Sequence, residues 1–150
     1  MPANDKWYTL SQMQTARHDA SATSWNNTVV VAGGRSERNS VQQYDLLTNT
    51  WTNMPPLIQA RTEFALVNLD GTLLAIGGIG DGKILSSVEQ FDVDTNQWKL
   101  TASLNIGRFK FGAAVVHVKF RSFLLSVFLK NLVDFTNYIS VNLPKLRTTA

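Results

Sequence analysis

The chain has 150 residues, enough for one domain with a buried core, and its 44% hydrophobic and 17% charged fractions are those of a globular protein. It contains no cysteine, which excludes disulfides, thiolate metal sites and a cysteine nucleophile, and suits a reducing, cytoplasmic compartment. The net charge of +3 is uneven: residues 1–116 hold nine Lys/Arg against ten Asp/Glu, so the positive excess lies in residues 117–150 and the larger part shows no footprint for nucleic acid.

In chain order, Met1–Leu10 lack the apolar core of a signal peptide, so secretion is not indicated. Asn26-Asn27-Thr28 then reads as a turn despite its match to a glycosylation acceptor. Val29–Ala32 is a β-branched run closing on Gly33-Gly34, which predicts an inner strand. Ser40–Leu46 predicts a second strand around Tyr44, ending at the turn Thr48-Asn49. Trp51 opens a third, stopped by Pro55-Pro56, and Thr62–Asn68 supplies a fourth before the hairpin-type turn Asp70-Gly71.

The same text is then written again. Leu73–Ile76 closes on Gly77-Gly78, Ser87–Val93 surrounds Phe91, Thr95-Asn96 makes the turn, and Trp98 and Phe109–Val116 follow. Val41 to Val88 and Trp51 to Trp98 are both 47 residues apart. Arg17, Arg61 and Arg108 share spacings of 44 and 47 residues with Trp7, Trp51 and Trp98. The difference lies in one loop, which has six residues at Arg35–Ser40 and nine at Ile79–Ser87. Loop variation on a fixed scaffold marks a repeat array, with complete periods 7–51 and 51–98 and a partial third over 98–116. No sustained helical period precedes residue 117. The prediction is an all-β stack of two to three four-stranded blades in an incomplete propeller.

The glycine pairs Gly33-Gly34 and Gly77-Gly78, the spaced aromatics Tyr44 and Phe91, and the tryptophans Trp51 and Trp98 resemble the Kelch repeat. The string from Ser87 to Trp98 is particularly similar to metazoan Kelch-like (BTB-Kelch) proteins. That resemblance implies protein binding, as the substrate-recognition arm of a cullin-RING ubiquitin ligase adaptor. In the family a BTB domain binds the cullin and a BACK region follows. The repeat begins by Trp7 with neither read ahead of it, so cullin binding is not expected here. Other Kelch proteins bind actin or scaffold the cytoskeleton, and some are enzymes. The copper type needs a cysteine-modified tyrosine, which a cysteine-free chain cannot supply.

Several look-alikes are explained by the repeat. Gly77 to Lys83 has phosphate-loop spacing, but Ile84 stands where Ser or Thr would hold magnesium, and a strand pattern follows. Asp92 to Asn96 resembles the start of a calcium loop, but Gln97 replaces its glycine. His18 and His117 are isolated, and no catalytic constellation stands out. The expectation is a non-enzyme with no cofactor or metal.

The register arginines Arg17, Arg61 and Arg108 read in two ways. They fix turns by bonding backbone carbonyls, or they form a rim of forked donors for acidic or phosphorylated peptides. In Kelch-like proteins partner contacts come from rim loops and the mouth of the central shaft. The resemblance therefore makes Arg17, His18, Arg61, Arg108, Arg35, Arg38, Asp81 and Lys83 candidates for partner contact.

After residue 116 the glycine pair, tryptophan and Thr-Asn turn do not return, and residues 117–150 read as an irregular or partly helical tail outside the repeat. Its longest uncharged stretch before Lys130, Ser122–Leu129, is too short to span a bilayer. Val118-Lys119 can be encoded by codons resembling a splice donor, so the tail is read as a retained intron or a misplaced gene end, or as an authentic alternative C-terminus.

Overall fold

A computed structural model describes residues 7–116, 126–131 and 139–140, and every element among them is a strand. The first sheet holds β1 (Ser21–Trp25), β2 (Thr28–Ala32), β3 (Val41–Asp45) and β4 (Thr50–Met54), antiparallel and in sequence order. The second is made by β5 (Ala65–Leu69), β6 (Thr72–Ile76), β9 (Val88–Asp92) and β10 (Gln97–Thr101). Between β6 and β9 a small hairpin is inserted, β7 (Ile79–Gly80) and β8 (Lys83–Ile84). The third sheet has the order β11 (Phe111–Val116), β12 (Ser126–Asn131), β13 (Ile139–Ser140). The first strands β1, β5 and β11 are neighbours in space, so the sheets are arranged radially with these strands innermost.

Local chemistry accounts for the strands. Asn26-Asn27, Asp70-Gly71 and Asp81-Gly82 all have two successive positive φ angles, the backbone of a tight hairpin turn that asparagine, aspartate and glycine tolerate. Asp45 Oδ1 accepts from the backbone N–H of Leu47 at 2.7 Å and Thr48 at 3.2 Å, and Asp92 Oδ1 accepts from Asp94 at 2.9 Å and Thr95 at 3.1 Å. The calcium-like string is thus a turn closed by its own aspartate. Bonds from Lys99 and from the Thr95 backbone hold the Asp92 carboxyl down at about 2.

Three features differ from the sequence reading. The fourth strand of each period belongs to the following sheet: Ala65 pairs with Ile76 and Leu69 with Thr72, so the first sheet runs from β1, a strand the periodicity did not single out, to β4. Trp7 shares the spacing of Trp51 and Trp98 but not their role, since it lies outside any strand and is fully exposed. The described parts of the tail are strand, not helix or irregular chain, and β12 pairs with β11 along its whole length, Phe111 with Asn131 through Val116 with Ser126. His117 lies outside the described residues.

The core sits between sheets. Trp25, Val30, Ala32 and Val41 of the first sheet pack with Leu66, Leu73, Phe91 and Trp98 of the second. Ala65, Val67, Ile76 and Val88, on the other face of the second sheet, pack with Phe111 of the third. Each fully buried large aliphatic or aromatic side chain contributes roughly 1.5–3 kcal/mol, so most of the stability of a sheet depends on its neighbours.

The aromatic hallmarks connect sheets to their incoming linkers. Tyr44 and Trp51 are cross-strand partners with ring centroids 4.9 Å apart, and Phe91 and Trp98 are the same pair at 5.3 Å. Trp51 Nε1 donates to Ser11 O and Trp98 Nε1 to Pro55 O, both at 2.9 Å. At Trp98 one ring both fills the core and reaches a linker carbonyl, whereas Trp51 is half-buried, packs on Tyr44 and reaches its own linker carbonyl.

At Gly33 the backbone is left-handed, φ 63°, and an added Cβ would lie 2.5 Å from Arg61 O and 2.7 Å from Phe64 Cε1. Gly71 is also left-handed, φ 87°, but has nothing within 4 Å. Gly71→Ala therefore costs about 1–2 kcal/mol from backbone strain alone. Gly33→Ala costs more than that, because a carbonyl and a packed ring must also move. Urea denaturation of both variants checks the order.

Candidate functional site

One end of the radial stack carries the glycine pairs, the loops of variable length and the segments that enter each innermost strand. The register arginines hold this end together. Arg61 lies wholly buried before β5, and its Nη1 donates to Gly77 O at 2.7 Å and Ser87 O at 2.9 Å, the two ends of the β6–β9 loop. Arg17 repeats the arrangement in the first sheet, with Nη1 3.0 Å from Gly33 O and 3.2 Å from Ser40 O. Each loop is also closed by its own backbone, Gly33 N to Ser40 O at 2.9 Å and Gly77 N to Ser87 O at 3.0 Å. The second glycine of each pair reaches the next arginine's carbonyl, Gly34 N to Arg61 O at 3.0 Å and Gly78 N to Arg108 O at 2.6 Å.

Burial of a guanidinium requires a counter-charge, and the two sheets supply it differently. In the second sheet Glu89 is fully buried beside Arg61, with Oε1 3.0 Å from Arg61 Nε and 2.9 Å from Nη2. The same carboxylate accepts from the backbone N–H of Ile58 at 2.7 Å and Gln59 at 3.0 Å, so the pair is satisfied on all sides. In the first sheet the corresponding position is Gln42, and Arg17 pairs instead with Glu37, 3.4 Å away in the loop. Arg17 Nε and Gln42 Oε1 are left without partners. Desolvation lowers both arginine pKa values from the ordinary range, opposed by Glu37 and Glu89 respectively.

The partner-contact candidates consequently divide. Arg61 is sealed in and Arg17 has a side-chain exposure of only 1%, so neither guanidinium is presented to a partner. Their forks are spent on carbonyls. Arg108 is half-buried, and its backbone bonds Gly78 and Leu85. His18, Arg35, Arg38, Asp81 and Lys83 remain exposed at this end. Arg38 and Lys83 make no ion pair with any described residue. The hairpin of β7 and β8 occupies the loop that resembled a phosphate cradle, and no helix follows it among the described residues.

Three positions escaped the sequence reading. Asp19, Glu63 and Lys110 each follow a register arginine by two residues, and each has a left-handed backbone at φ 57°, 55° and 51°. They link the innermost strands in a ladder, Glu63 N to Asp19 O at 2.9 Å and Lys110 N to Glu63 O at 3.0 Å. Arg35 bridges them, its Nε 2.7 Å from Asp19 and its Nη2 3.3 Å from Glu63, while Lys110 Nζ is 3.7 Å from Glu63. The result is a collar of alternating charge just ahead of the innermost strands, with the cation Arg35 already engaged. The shared offset from arginine was the available signal. Exposed Ile58, Ile84 and Ile106 add apolar surface to the same end, and loop residues of this kind leave no periodic trace.

Glu89→Ala strands the buried Arg61 and lowers stability by about 3–5 kcal/mol. The double variant Arg61→Met/Glu89→Leu recovers part of that loss, since it leaves no unpaired charge. Thermal or chemical unfolding of the two proteins checks both statements.

Comparison with known proteins agrees with this geometry. The Kelch motif is matched over residues 16–58 and 60–105, ranges that follow the sheets and cover more than half of the chain. The chain is 29% identical over 124 residues to F-box protein AFR of Arabidopsis thaliana, covering 76% of this chain and 33% of that protein. It is 30% identical over 117 residues to human Kelch-like protein 34, covering 67% and 18%. It is 28% identical over 127 residues to alpha-scruin of Limulus polyphemus, covering 77% and 14%. The chain thus spans a third or less of these relatives. A solved structure, "Structure of YjhT", superposes with a TM-score of 0.67 at 20% identity, covering 95% of this chain and 57% of that one. With two matched motifs and the sheets that carry them, the chain belongs to the Kelch repeat family.

Proposed function

We propose that the chain serves as the recognition part of a protein-binding adaptor and that its partner contacts the glycine-pair end of the stack. Kelch repeats are in general protein-interaction modules. The observation that carries the reading is the division of labour at that end: buried arginines hold the loop backbones in place, Arg38, Asp81 and Lys83 project from those loops, and His18 lies exposed on the segment entering β1. Preorganised loops bearing exposed charge bind without a large ordering cost. The resemblance to Kelch-like proteins favours a partner destined for ubiquitylation through a cullin-RING ligase in the cytoplasm. Actin binding or cytoskeletal scaffolding is the alternative, in line with other Kelch proteins. No helix among the described residues is long and apolar enough to cross a membrane.

Affinity capture of the chain with mass spectrometry separates the readings. A recognition role predicts partners that are lost with Arg38→Glu/Lys83→Glu while the unfolding midpoint stays unchanged. Filamentous actin as the dominant, co-sedimenting partner would favour the scaffold. Partners retained in full by the double variant would remove the glycine-pair end as the contact face.

A further inference from the structure

The longer of the two variable loops folds into the hairpin of β7 and β8, and each side of that hairpin rests on a linker. On the β7 side Thr62 N donates to Ile79 O at 2.9 Å and Ile79 N to Thr62 O at 2.8 Å. On the β8 side Arg108 N donates to Leu85 O at 3.1 Å and Leu104 N to Ser86 O at 2.8 Å. Two glycines permit the close fit: a Cβ on Gly80 would overlap Ala60 O, and one on Gly107 would lie 3.1 Å from Ile84 O. The shorter loop adjoins the first of these linkers, with Asn39 O accepting from Leu57 N at 2.8 Å and Arg38 O from Arg61 N at 2.7 Å. Short loop, linker, hairpin and second linker thus form one continuous surface, held together through the backbone.

The last three of these segments each present an isoleucine to solvent: Ile58 is 55% exposed, Ile84 55% and Ile106 63%. None belongs to either core cluster, so their apolar surface is not used in holding the sheets together. Apolar side chains gathered on adjoining segments and rimmed by polar ones mark a contact surface, unlike single exposed residues. The charges beside them give its sign. The two loops, 35–40 and 79–87, hold five charged residues, of which Arg35 and Glu37 are engaged with Asp19, Glu63 and Arg17. Arg38 and Lys83 remain, opposed only by Asp81, and Lys83 directly precedes Ile84. We propose, on the reading that partners meet the glycine-pair end, that the partner docks an acidic segment bearing a large apolar side chain. That side chain covers Ile84 between the two linkers, and the flanking carboxylates face Lys83 and Arg38. A basic segment would meet like charge there, and a purely polar one would leave the isoleucines in water. A second copy of the chain fits poorly, since a two-fold contact would set a net positive patch against itself.

Selection of the full chain against a random-sequence displayed-peptide library gives the test. Enriched peptides are expected to carry aspartate or glutamate within a few positions of a large apolar residue. A fluorescein-labelled synthetic copy of one such peptide is expected to bind the Ile84→Ser/Ile106→Ser variant about tenfold or more weakly than the parent chain. Its affinity is also expected to fall as salt is raised. Both side chains are exposed, so the unfolding midpoint of the variant stays where it was. Enrichment of basic or purely polar peptides, no enrichment at all, undiminished binding by the variant, or binding indifferent to salt would each overturn the proposal. Affinity capture from cells separates it from the reading on which it rests. Partners lost with Arg38→Glu/Lys83→Glu but kept in full by Ile84→Ser/Ile106→Ser would overturn the apolar anchor and leave the contact face standing. Partners kept by both variants would remove the face itself.

Discussion

The end of the molecule that carries the glycine pairs is organised by one buried interaction, the Arg61 guanidinium against the Glu89 carboxylate. Arg61 bonds both ends of the β6–β9 loop and Glu89 bonds the linker at Ile58 and Gln59, so linker, loop and strand are fixed by a single charge pair. A buried pair is weak support for net stability, because desolvation offsets much of the attraction. Its value here is geometric: the Arg61 fork reaches the Gly77 and Ser87 carbonyls and Glu89 the linker N–H groups, a connection that no pair of apolar side chains could make. The first sheet achieves the same closure with Glu37 supplied from the loop, which shows that the arginine is the fixed element and the acid the adjustable one.

That constraint explains how the loops can vary. A six-residue loop and a nine-residue loop, the latter with its own hairpin, leave from the same glycine pair and return to the same serine carbonyl. Whatever lies between those points does not affect the strands. Charge and apolar surface can then be placed at the tips without consequence for the core between the sheets.

Much of this was legible in the residues. Gly33-Gly34, Tyr44 and Trp51, matched by Gly77-Gly78, Phe91 and Trp98, indicated four-stranded sheets because each has a backbone or packing reason to recur. The division into sheets was not legible, since a period has no natural starting point and only the pairing of β5 with β6 sets it. Nor could spacing tell Trp7 from Trp51: Trp51 lies on β4 opposite Tyr44, whereas Trp7 is fully exposed and in no strand among the described residues. Burial of Arg61 was hidden because the acid that permits it, Glu89, lies 28 residues away and is replaced by glutamine in the other copy. Within the tail, residues 126–131 carry no repeat motif and yet pair with β11, so only the pairing revealed them as a strand.

The bonds from Trp51 to Ser11 and from Trp98 to Pro55 tie the outermost strand of a sheet to the segment through which the chain entered it. Entry and exit of each sheet are thereby latched at one point. A sheet cannot fray from its outer edge without releasing its own linker, and the linker cannot lift without exposing the ring beneath. The smallest piece of this molecule that opens independently is a sheet together with its linker, so local opening, wherever it begins, proceeds in whole repeats.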